Sequence, residues 1–468
     1  MRKKELPSAV CSEAYPTDPD FPQLKVASDP RLMLEVFRNH LRPIPGRRCH
    51  IQDCVPFRFR CRQSTERCVL QYTLRLLEPN TGRRWDQWVT GLIYAEKGEA
   101  ERLWREMAGS DPQRQIPESW LAFEPVSFIP ALGMLVQVFP FDRKLRNLSL
   151  VMGGGLRSLE PQLLARLGPG QWRVKERIIE PIRYRTELGA ALRYTLRARE
   201  ALTRGRETLR CYLKVYRHQQ GGETYQLLQS LSSQARRHAA VFTVVKPIAY
   251  LNELRTLAIE EAPGTALQQI LLEDRNADAA VRAVARAVAA FNQSKLGIMR
   301  HHSPADQFDD VKRASSLVQW ASPPARAAVQ AITAAVVAGL DEFPPGPIHR
   351  DLKTDHIFLS GGRVVFIDLD AVALADPVRD PAHLFAHIAA RVGLDALPAK
   401  RAGTAAAAFV EEYFAHVPRQ WRKRFPLHCA GALVEVAGGF FKRQERRWPE
   451  KVNAAIDEAQ RVLSGSIR

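Results

Sequence analysis

Two aspartates, Asp351 and Asp368, flank a segment whose pattern predicts a β-hairpin, within the stretch IHRDLKTDHIFLSGGRVVFIDLD (348–370). Both arms are rich in β-branched and aromatic residues, and Gly361-Gly362 can supply the positive φ values of a tight two-residue turn. A rigid hairpin with a carboxylate near each end suits a site that binds Mg²⁺ and takes a proton from a hydroxyl. The spacing predicts that chemistry for these two acids.

The elements that must position this hairpin begin with an internal repeat. One order of strands with a crossing helix occurs twice, about 125 residues apart. The matching segments are FRFRCR (57–62) with IRYR (182–185), RCVLQYTLRLL (67–77) with AALRYTLRAR (190–199), WVTGLIYAE (88–96) with CYLKVYR (211–217), GEAERLWREM (98–107) with GETYQLLQSL (222–231), and the strands at 125–139 with those at 246–264. The repeat predicts two copies of one antiparallel sheet, with chance similarity of strand-rich segments as the alternative.

The two copies differ at one position that could carry chemistry. The second copy has Lys214 inside its third strand, where a charge among apolar neighbours is costly unless it is paired. Glu223, at the start of the next helix, is the expected partner. The first copy keeps Glu99 but has Leu92 where the repeat is aligned with the lysine. The second copy is therefore predicted to be the working one.

The rest of the chain is predicted to be mainly helical. Pro263-Gly264 interrupt the last strand of the second copy and allow a helix to begin. Segments with helical periodicity then follow at 277–296, 325–340, 381–394, 404–417, 426–441 and 452–463. At the other end, residues 1–30 are predicted to form a flexible lead, and Asp29-Pro30 to open a short amphipathic helix.

This order of elements, with HRD at 349–351, IDLD at 367–370 and DPVRDPA at 376–382, resembles the kinase-like phosphotransferases of the aminoglycoside phosphotransferase and choline kinase group. The resemblance covers residues 175–468 and implies an α+β, protein-kinase-like two-lobed fold, with an antiparallel-sheet N-lobe and a mainly helical C-lobe. A second N-lobe-like α+β domain would precede it. The expected divisions are the flexible lead at 1–30, a degenerate N-lobe-like cap domain at 31–165, the kinase-like N-lobe at 166–262, and the helical C-lobe with the catalytic hairpin at 263–468.

The resemblance also implies roles for residues of the hairpin region. Asp351 would be the catalytic base, in a loop shared with His349 and Arg350. His349 is also expected as a packed, hydrogen-bonded loop residue. Asp380 would brace the loop. Asp368 would hold Mg²⁺, because a hard cation prefers carboxylate oxygen.

Nucleotide binding is implied for the other half of the site, with ATP and Mg²⁺ as the cofactors. Lys214 would contact the α- and β-phosphates and Glu223 would position it. The backbone of Glu260, Glu261 and Ala262 would hydrogen-bond adenine. A lysine that only extends its charge to solvent from a sheet edge is the alternative for Lys214.

Three departures from the resembling group matter. Its metal-binding Asn falls at His356 here, and an imidazole suits Mg²⁺ less well than an amide oxygen. His356 stays a candidate metal ligand, with a single metal, slower turnover or a different metal all open. Asp370 is either a second metal ligand or a turn former. The segment where a phosphate-covering loop is expected, RYRTELGAALRY (183–194), has only Gly189, and the additional sheet copy is the third departure.

Composition limits the class of partner. The formal net charge is +18, of which residues 1–240 carry +15, so an anionic partner is favoured: an acidic substrate, a lipid headgroup or nucleic acid. Solubility charge is the alternative, because the arginines are scattered singly. No apolar run reaches the ~18 residues of a membrane span, and seven cysteines without a signal-peptide pattern predict a cytoplasmic protein with reduced thiols.

Two minor candidates complete the set. Cys49, Cys54, Cys61 and Cys68 cluster near His50 but contain no C-x-x-C pair, which argues against a zinc site. The segment from His301-His302 to Asp309-Asp310 could contact substrate, or could form a solvated loop that connects helices.

The favoured function is ATP-dependent transfer of the γ-phosphoryl group to a hydroxyl of a small molecule that could be anionic. The alternative is a pseudokinase or adaptor that binds nucleotide weakly and recruits an anionic partner through its basic N-terminal half. Lys214, Asp351 and Asp368 are all present, which favours the enzyme.

Overall fold

The structure is a computed structural model that describes residues 16–62, 66–109, 116–237, 241–273 and 276–465. Half of the predicted flexible lead lies outside these residues. In the other half, helix α1 (Leu24–Ala27) precedes helix α2 (Pro30–His40). The Asp29 side chain accepts hydrogen bonds from the amides of Arg31 and Leu32, and Pro30 occupies the first helical position. The helix start predicted at Asp29-Pro30 is confirmed.

The chain divides into two compact units. The first unit runs to Gly221 and adds Leu251–Leu257 and Phe441–Trp448. The second unit consists of Gly222–Tyr250, Ala258–Phe440 and the residues from Pro449 onward. The domain boundaries expected from the sequence, at residues 165 and 262, stay predictions.

The first sheet is antiparallel and has five strands in the order β1-β2-β3-β5-β4. Its strands are β1 (His50–Arg62), β2 (Arg67–Leu77), β3 (Arg84–Tyr94), β4 (Val126–Ile129) and β5 (Met134–Val138). Helix α3 (Glu99–Ala108) packs on it through a cluster of buried apolar side chains: Val69, Leu92, Leu103, Val126 and Leu135. Two short helices, α4 (Asn147–Met152) and α5 (Glu160–Leu164), follow.

The second sheet has the same arrangement. Its strands are β6 (Trp172–Arg185), β7 (Gly189–Glu200), β8 (Arg206–Tyr216), β10 (Pro247–Leu251) and β11 (Thr256–Glu260), in the order β10-β11-β8-β7-β6, with helix α6 (Gln220–Arg237) between its third and fourth strands. Read from the first strand, each sheet runs first, second, third, fifth, fourth. The two sheets therefore share one strand order, as the sequence repeat predicts.

A matching irregularity supports the same relation. In β1 the register with β2 shifts between Pro56 and Arg58, and in β6 the register with β7 shifts between Pro181 and Arg183. Each shift leaves one extra residue opposite the partner strand, which is a β-bulge. The bulge lies at the same place in both copies of the P-x-R motif, so the repeat extends to local backbone geometry.

The strand pairings refine the position that corresponds to Lys214. In the second copy, the residue after the bulge, Arg183, pairs with Ala191, and Ala191 pairs with Lys214. In the first copy, the corresponding Arg58 pairs with Gln71, and Gln71 pairs with Thr90. That route matches Lys214 to Thr90. Counted from the last pair of the second and third strands, Leu77 with Arg84 and Arg199 with Arg206, the match is Leu92. By either route the first copy has no lysine there.

The turn between β6 and β7, residues 186–188, lies against the first sheet inside the first unit. The Thr186 hydroxyl is 2.9 Å from Gln71 Nε2 and 2.8 Å from Thr90 Oγ1. The Glu187 amide donates to Asp142 Oδ2 at 2.6 Å, and the Glu187 side chain is fully buried. This is the turn where the sequence placed a phosphate-covering loop.

The second unit is mainly helical. Its helices, beyond the greater part of α6, are α7 (Leu267–Glu273), α8 (Ala277–Asn292), α9 (Pro304–Ala321), α10 (Arg326–Gly339), α11 (Arg379–Ala389), α12 (Ala399–Ala415), α13 (Phe425–Lys442) and α14 (Trp448–Leu463), the last two extending at one end into the first unit. The six helices predicted downstream of residue 276 are present, and α9 is additional. The expected α+β fold class is confirmed by the sheets and this helical part.

Two small sheets support the hairpin in the second unit. Strands β14 (Ile357–Ser360) and β15 (Arg363–Phe366) form the hairpin, and β12 (Thr265–Ala266) and β9 (Phe242–Val244) pair on its two sides. Strand β13 (Gly346–Ile348) pairs with β16 (Ala373–Ala375). In the part of the chain that the structure describes, no helix is both long and apolar enough to cross a membrane. The cytoplasmic location stays a prediction.

Candidate active site

The hairpin adopts the predicted turn. Gly361 and Gly362 have φ values of 54° and 77°, and Ser360 pairs with Arg363 across them. Residues with a Cβ rarely adopt this left-handed conformation, which is why two glycines occupy the turn.

The two aspartates are brought together by the ribbon of β13 and β16. Asp351 follows the end of β13 by three residues, and Asp368 precedes the start of β16 by five. Because β13 and β16 are antiparallel, the chain leaves one strand where it enters the other, and the two acids return to the same end of the ribbon. Asp368 itself has a φ of 61°, a left-handed conformation that Asp tolerates better than most residues.

Asp380 fixes the loop that carries Asp351. Its carboxylate accepts hydrogen bonds from the backbone amides of His349 at 2.6 Å and Arg350 at 2.9 Å. The Asn292 side-chain amide donates to the same carboxylate at 3.1 Å, and Tyr413 donates its hydroxyl to Asn292 at 3.1 Å. Asp380 is fully buried, so these donors are needed to compensate its loss of hydration. The carboxylate thus holds two successive amides of the loop in place.

His349 is a buried part of the same loop. Its Nε2 lies 2.7 Å from the Ile367 carbonyl, which only accepts, so Nε2 carries the proton. The Asp351 amide then donates to His349 Nδ1 at 3.4 Å. Both ring nitrogens are engaged and the side chain is 1% exposed. His349 therefore has the packed, hydrogen-bonded position in the loop that the sequence analysis gave as the alternative to a catalytic role.

Arg350 binds a different acid, on helix α9, through its guanidinium. It donates to Asp310 Oδ2 at 3.1 Å, and its φ of 71° is left-handed. Asp310 also accepts from Arg379 at 3.1 Å and pairs with Arg313. Burial works to raise the pKa of Asp310, but Arg379 and Arg350 outweigh it and hold that pKa below its usual value. Arg350 is thereby fixed by α9.

That arrangement corrects the prediction of a solvated loop near residues 301–310. Helix α9 begins at Pro304, where the Ser303 hydroxyl and the Asp306 carboxylate cap each other's amides. His302 is buried, and its Nε2 lies 2.7 Å from Arg379. The capping box Ser-x-x-Asp was the sequence signal for this helix start.

Asp351, His356 and Asp368 form one cluster of groups able to bind a metal. One possible ligand atom from each lies within 4.8 Å of those of the other two. His356 Nδ1 is 3.0 Å from the Asp351 carbonyl, so Nδ1 carries the proton and Nε2 presents its lone pair. That Nε2 faces Asp368 Oδ2 at 3.4 Å.

Two acceptors that face each other at this distance need a cation or a proton between them. Burial is the main cause that lowers the pKa of His356, to about 4, so the ring is neutral at pH 7. A histidine whose other nitrogen donates to a backbone carbonyl is a common arrangement of metal ligands. The residues present therefore fit a divalent cation. Imidazole beside carboxylate suits Mn²⁺ at least as well as Mg²⁺.

Asp351 also contacts a residue that the sequence reasoning missed. Lys353 Nζ lies 3.0 Å from Asp351 Oδ2. Burial works to raise the pKa of Asp351, but Lys353, His356 and His383 outweigh it and hold that pKa well below its usual range. The Asp351 side chain is 41% exposed, so a substrate can reach the ionised carboxylate. The position of Lys353 two residues after Asp351 was the only available signal.

Asp370 is not part of the three-residue cluster among the described residues. It lies in a single helical turn, Leu369–Ala371, and its backbone carbonyl accepts a hydrogen bond from Arg300. The position agrees with a turn former, and a role as second metal ligand stays a prediction.

The residues expected to bind nucleotide lie in both units. Lys214 is half-buried on β8 of the first unit, in register with Ala191. Glu223 is exposed in the first turn of α6, in the part that belongs to the second unit. Glu260 ends β11 with its amide donating to the Lys246 carbonyl at 3.0 Å. Glu261 and Ala262 follow directly. Their roles toward nucleotide stay predictions.

Part of the chain is similar to a known family of enzymes. Residues 194–426 match the model of the phosphotransferase enzyme family. This range of the chain includes Asp351, His356, Asp368 and Asp380. None of the curated proteins matches the chain.

Solved structures give a similarity of low identity. A putative aminoglycoside phosphotransferase from Ralstonia eutropha is 13% identical with a TM-score of 0.41, covering 66% of this chain and 98% of its own. Choline kinase LicA from Streptococcus pneumoniae is 14% identical with a TM-score of 0.40, covering 67% and 100%. A choline/ethanolamine kinase family protein from Mesorhizobium loti is 12% identical with a TM-score of 0.38, covering 61% and 88%. The chain thus contains a domain, residues 194–426, that matches the phosphotransferase enzyme family.

Proposed function

We propose that this phosphotransferase moves the γ-phosphoryl group of ATP to a hydroxyl of a small molecule, with Asp351 at the acceptor and Asp368 at the metal. The observation that supports this most is that ligand atoms of Asp351, His356 and Asp368 lie within 4.8 Å of one another, with the loop of Asp351 held by Asp380. Phosphoryl transfer depends on positioning and charge stabilisation, and this cluster is both rigid and charged.

Asp351 would act first by orienting the acceptor. Its carboxylate stays ionised at neutral pH, because its pKa is held low, so it can accept a hydrogen bond from a substrate hydroxyl. The hydroxyl proton would pass to it as the oxygen bonds to phosphorus. Lys353, 3.0 Å from Asp351, would keep the carboxylate oriented and place a positive charge beside the transferred group.

Asp368 and His356 would hold a divalent cation between them. A cation held there would supply positive charge against the charge that builds up on the phosphate oxygens. Lys214 would supply a second positive charge at the nucleotide phosphates, as in the proteins the chain resembles. One similar structure is described as ADP-bound and another as a complex with GDP and kanamycin, so nucleotide and a polar hydroxyl acceptor are the first ligands to test.

The test compares three substitutions in the purified full chain, with ATP, Mg²⁺ or Mn²⁺, and a panel of amino alcohols, aminoglycosides and sugars. Asp351→Asn should lower turnover at least about 100-fold and leave nucleotide binding unchanged, since a general base contributes ~10²–10⁴. Asp368→Asn should remove the metal-dependent thermal stabilisation by ATP. Asp355→Asn is the matched control, because Asp355 is exposed on the same loop and lies outside the cluster.

Two results would contradict the proposal. Equal turnover in Asp351→Asn and Asp355→Asn would remove the role of Asp351. Absence of stabilisation by any nucleotide with either metal would leave the adaptor, which recruits an anionic partner, as the better description.

A further inference from the structure

The second sheet presents a cationic face at β6, β7 and β8 of the first unit. Residues in register on neighbouring strands project on the same side of a sheet. The rows on the side of Lys214 include Glu180–Arg193–Tyr212, Glu176–Arg197–Thr208 and Arg173–Arg199–Arg206. The last row, defined here as the arginine row, lies at the end of the strands farthest from Lys214.

Charge pairing on this face stops before the arginine row. Arg193 pairs with Glu180 at 2.8 Å and Arg197 with Glu176 at 2.6 Å. Within the part of the chain that the structure describes, none of the three arginines of the row has a carboxylate within ion-pair distance. Like charges directly opposite each other on neighbouring strands destabilise a sheet. The three arginines therefore occupy adjacent strands, whose backbones are about 5 Å apart, without a counterion among the described residues.

The adjoining turn, residues 201–205, adds an exposed apolar side chain. Leu202 at its tip is 79% exposed, and Arg204 follows it with a left-handed φ of 58°. Glu200 turns its carboxylate inward, where it accepts from the amides of Gln171 at 3.0 Å and Leu202 at 2.7 Å. The tip is thereby held rigid with its leucine outward.

One acidic side chain lies close to the row in sequence. Glu207 is exposed, but it pairs in register with Ala198, on the opposite side of the sheet from Arg206. The row and Arg204 thus provide four arginines at the end of the sheet whose adjoining turn carries Leu202, and the neighbouring carboxylates are either turned inward or on the other side.

We propose that this end of the second sheet docks onto an anionic lipid surface, with the arginine row and Arg204 on the headgroups and Leu202 inserted among them. Arginines at one end of a sheet, next to a turn with an exposed leucine, match the chemistry of a charged bilayer interface. A nucleic-acid strand would use the same charges but would have no use for the leucine, which offers no face for base stacking. The inference does not depend on phosphotransfer, so each can fail without the other.

The test is co-sedimentation of the full chain with lipid vesicles. The protein should partition onto phosphatidylcholine vesicles that contain phosphatidylglycerol, not onto phosphatidylcholine alone, and binding should fall as salt is raised. Each arginine near an anionic surface contributes about fivefold to partition, so Arg173→Gln/Arg199→Gln/Arg206→Gln should lower it at least about tenfold. The triple variant removes like-charge repulsion, so its thermal midpoint should not fall.

Two controls test whether binding depends on where the arginines lie, rather than on net charge, and on lipid, rather than on any polyanion. Arg326→Gln/Arg401→Gln/Arg419→Gln makes the same change in net charge at exposed arginines of the second unit and should leave partition unchanged. Leu202→Ser should weaken vesicle binding without changing retention on heparin. Equal loss in the two triple variants would overturn the proposal. So would binding to heparin or single-stranded DNA without binding to anionic vesicles.

Discussion

Replacing Glu187 by glutamine should destabilise the first unit more than any other neutralisation of a single carboxylate among its described residues. Glu187 lies in the turn between β6 and β7 with its side chain 1% exposed. Its carboxylate is 2.5 Å from Arg67, 3.2 Å from Arg143 and 3.6 Å from Lys144. Burial works to raise the pKa of Glu187, but these three cations outweigh it and the pKa stays below its usual value.

The size of the effect follows from what the substitution leaves behind. Glu187→Gln keeps the shape of the side chain and the hydrogen bond from the backbone amide to Asp142, and removes the negative charge. Arg67, Arg143 and Lys144, with side chains 16%, 22% and 27% exposed, then face one another without a counterion. Removing one partner of a buried ion pair lowers the free energy of unfolding by about 3–5 kcal/mol. The partial exposure of the cations favours the lower end, about 3 kcal/mol.

Urea unfolding followed by tryptophan fluorescence can measure this change. Six of the eight tryptophans, Trp85, Trp88, Trp104, Trp120, Trp172 and Trp448, belong to the first unit. Glu180→Gln is the matched control, because Glu180 lies on the same strand and pairs with Arg193, but its side chain is 43% exposed. Exposed pairs contribute less than about 1 kcal/mol.

The dependence on pH gives an independent check. A carboxylate with a depressed pKa stabilises the folded state above the pKa of the unfolded chain, and that stability is lost as pH falls through the folded pKa. The difference between wild type and Glu187→Gln should therefore be full at pH 7 and shrink in acid. A loss no larger than that of Glu180→Gln, or one that does not change with pH, would refute the reasoning.

Three further predictions concern the second unit. His356→Asn should shift the metal preference of ATP-induced stabilisation from Mn²⁺ toward Mg²⁺, because an amide oxygen is the harder ligand; an unchanged ratio of the two metals would exclude His356 as a ligand. Burial lowers the pKa of His302 to about 4, and the positive charges of Arg379 and Arg350 act in the same direction. Asp310 and Asp306 oppose this shift but do not outweigh it. Stability should therefore be full above pH ~6.5 and fall by about 3 kcal/mol as pH drops toward 4, whereas His302→Gln should flatten that slope in acid-unfolding curves. Gly264→Ala should cost at least about 3 kcal/mol in thermal unfolding, since its φ is +90° and an added Cβ would lie 2.0 Å from the Leu359 carbonyl oxygen, and Gly403→Ala, with open space around it, is the control.

The features that the sequence predicted correctly depend on local patterns. Alternating β-branched residues and Gly361-Gly362 determine the hairpin, and Asp29-Pro30 determines the start of α2, because each acts within a few residues. The repeat was visible because two copies of the same local signals occur in the same order. Asp351 and Asp368 lie close together because the antiparallel strands β13 and β16 bring their two loops to the same end, and their catalytic roles stay predictions.

The features that the sequence did not predict depend on contacts between distant residues. Glu187 lies in a polar turn, which a local reading assigns to the surface. It is buried because Arg67, Arg143 and Lys144, far away in the chain, surround it. Strand β9 was missed for a similar reason: three residues carry little pattern, and its pairing partner in β15 is about 120 residues away.

The first sheet copy uses the corresponding positions for contacts inside the first unit. Its helix α3 retains Glu99, but that carboxylate now pairs with Arg102 on its own helix, 2.7 Å away. The face that carries Thr90 holds the hydroxyl of Thr186 instead. Both side chains of the first copy therefore make contacts within the first unit. Selection on such a copy acts through folding free energy, so its substitutions should change stability of the first unit and leave the chemistry at Asp351 intact.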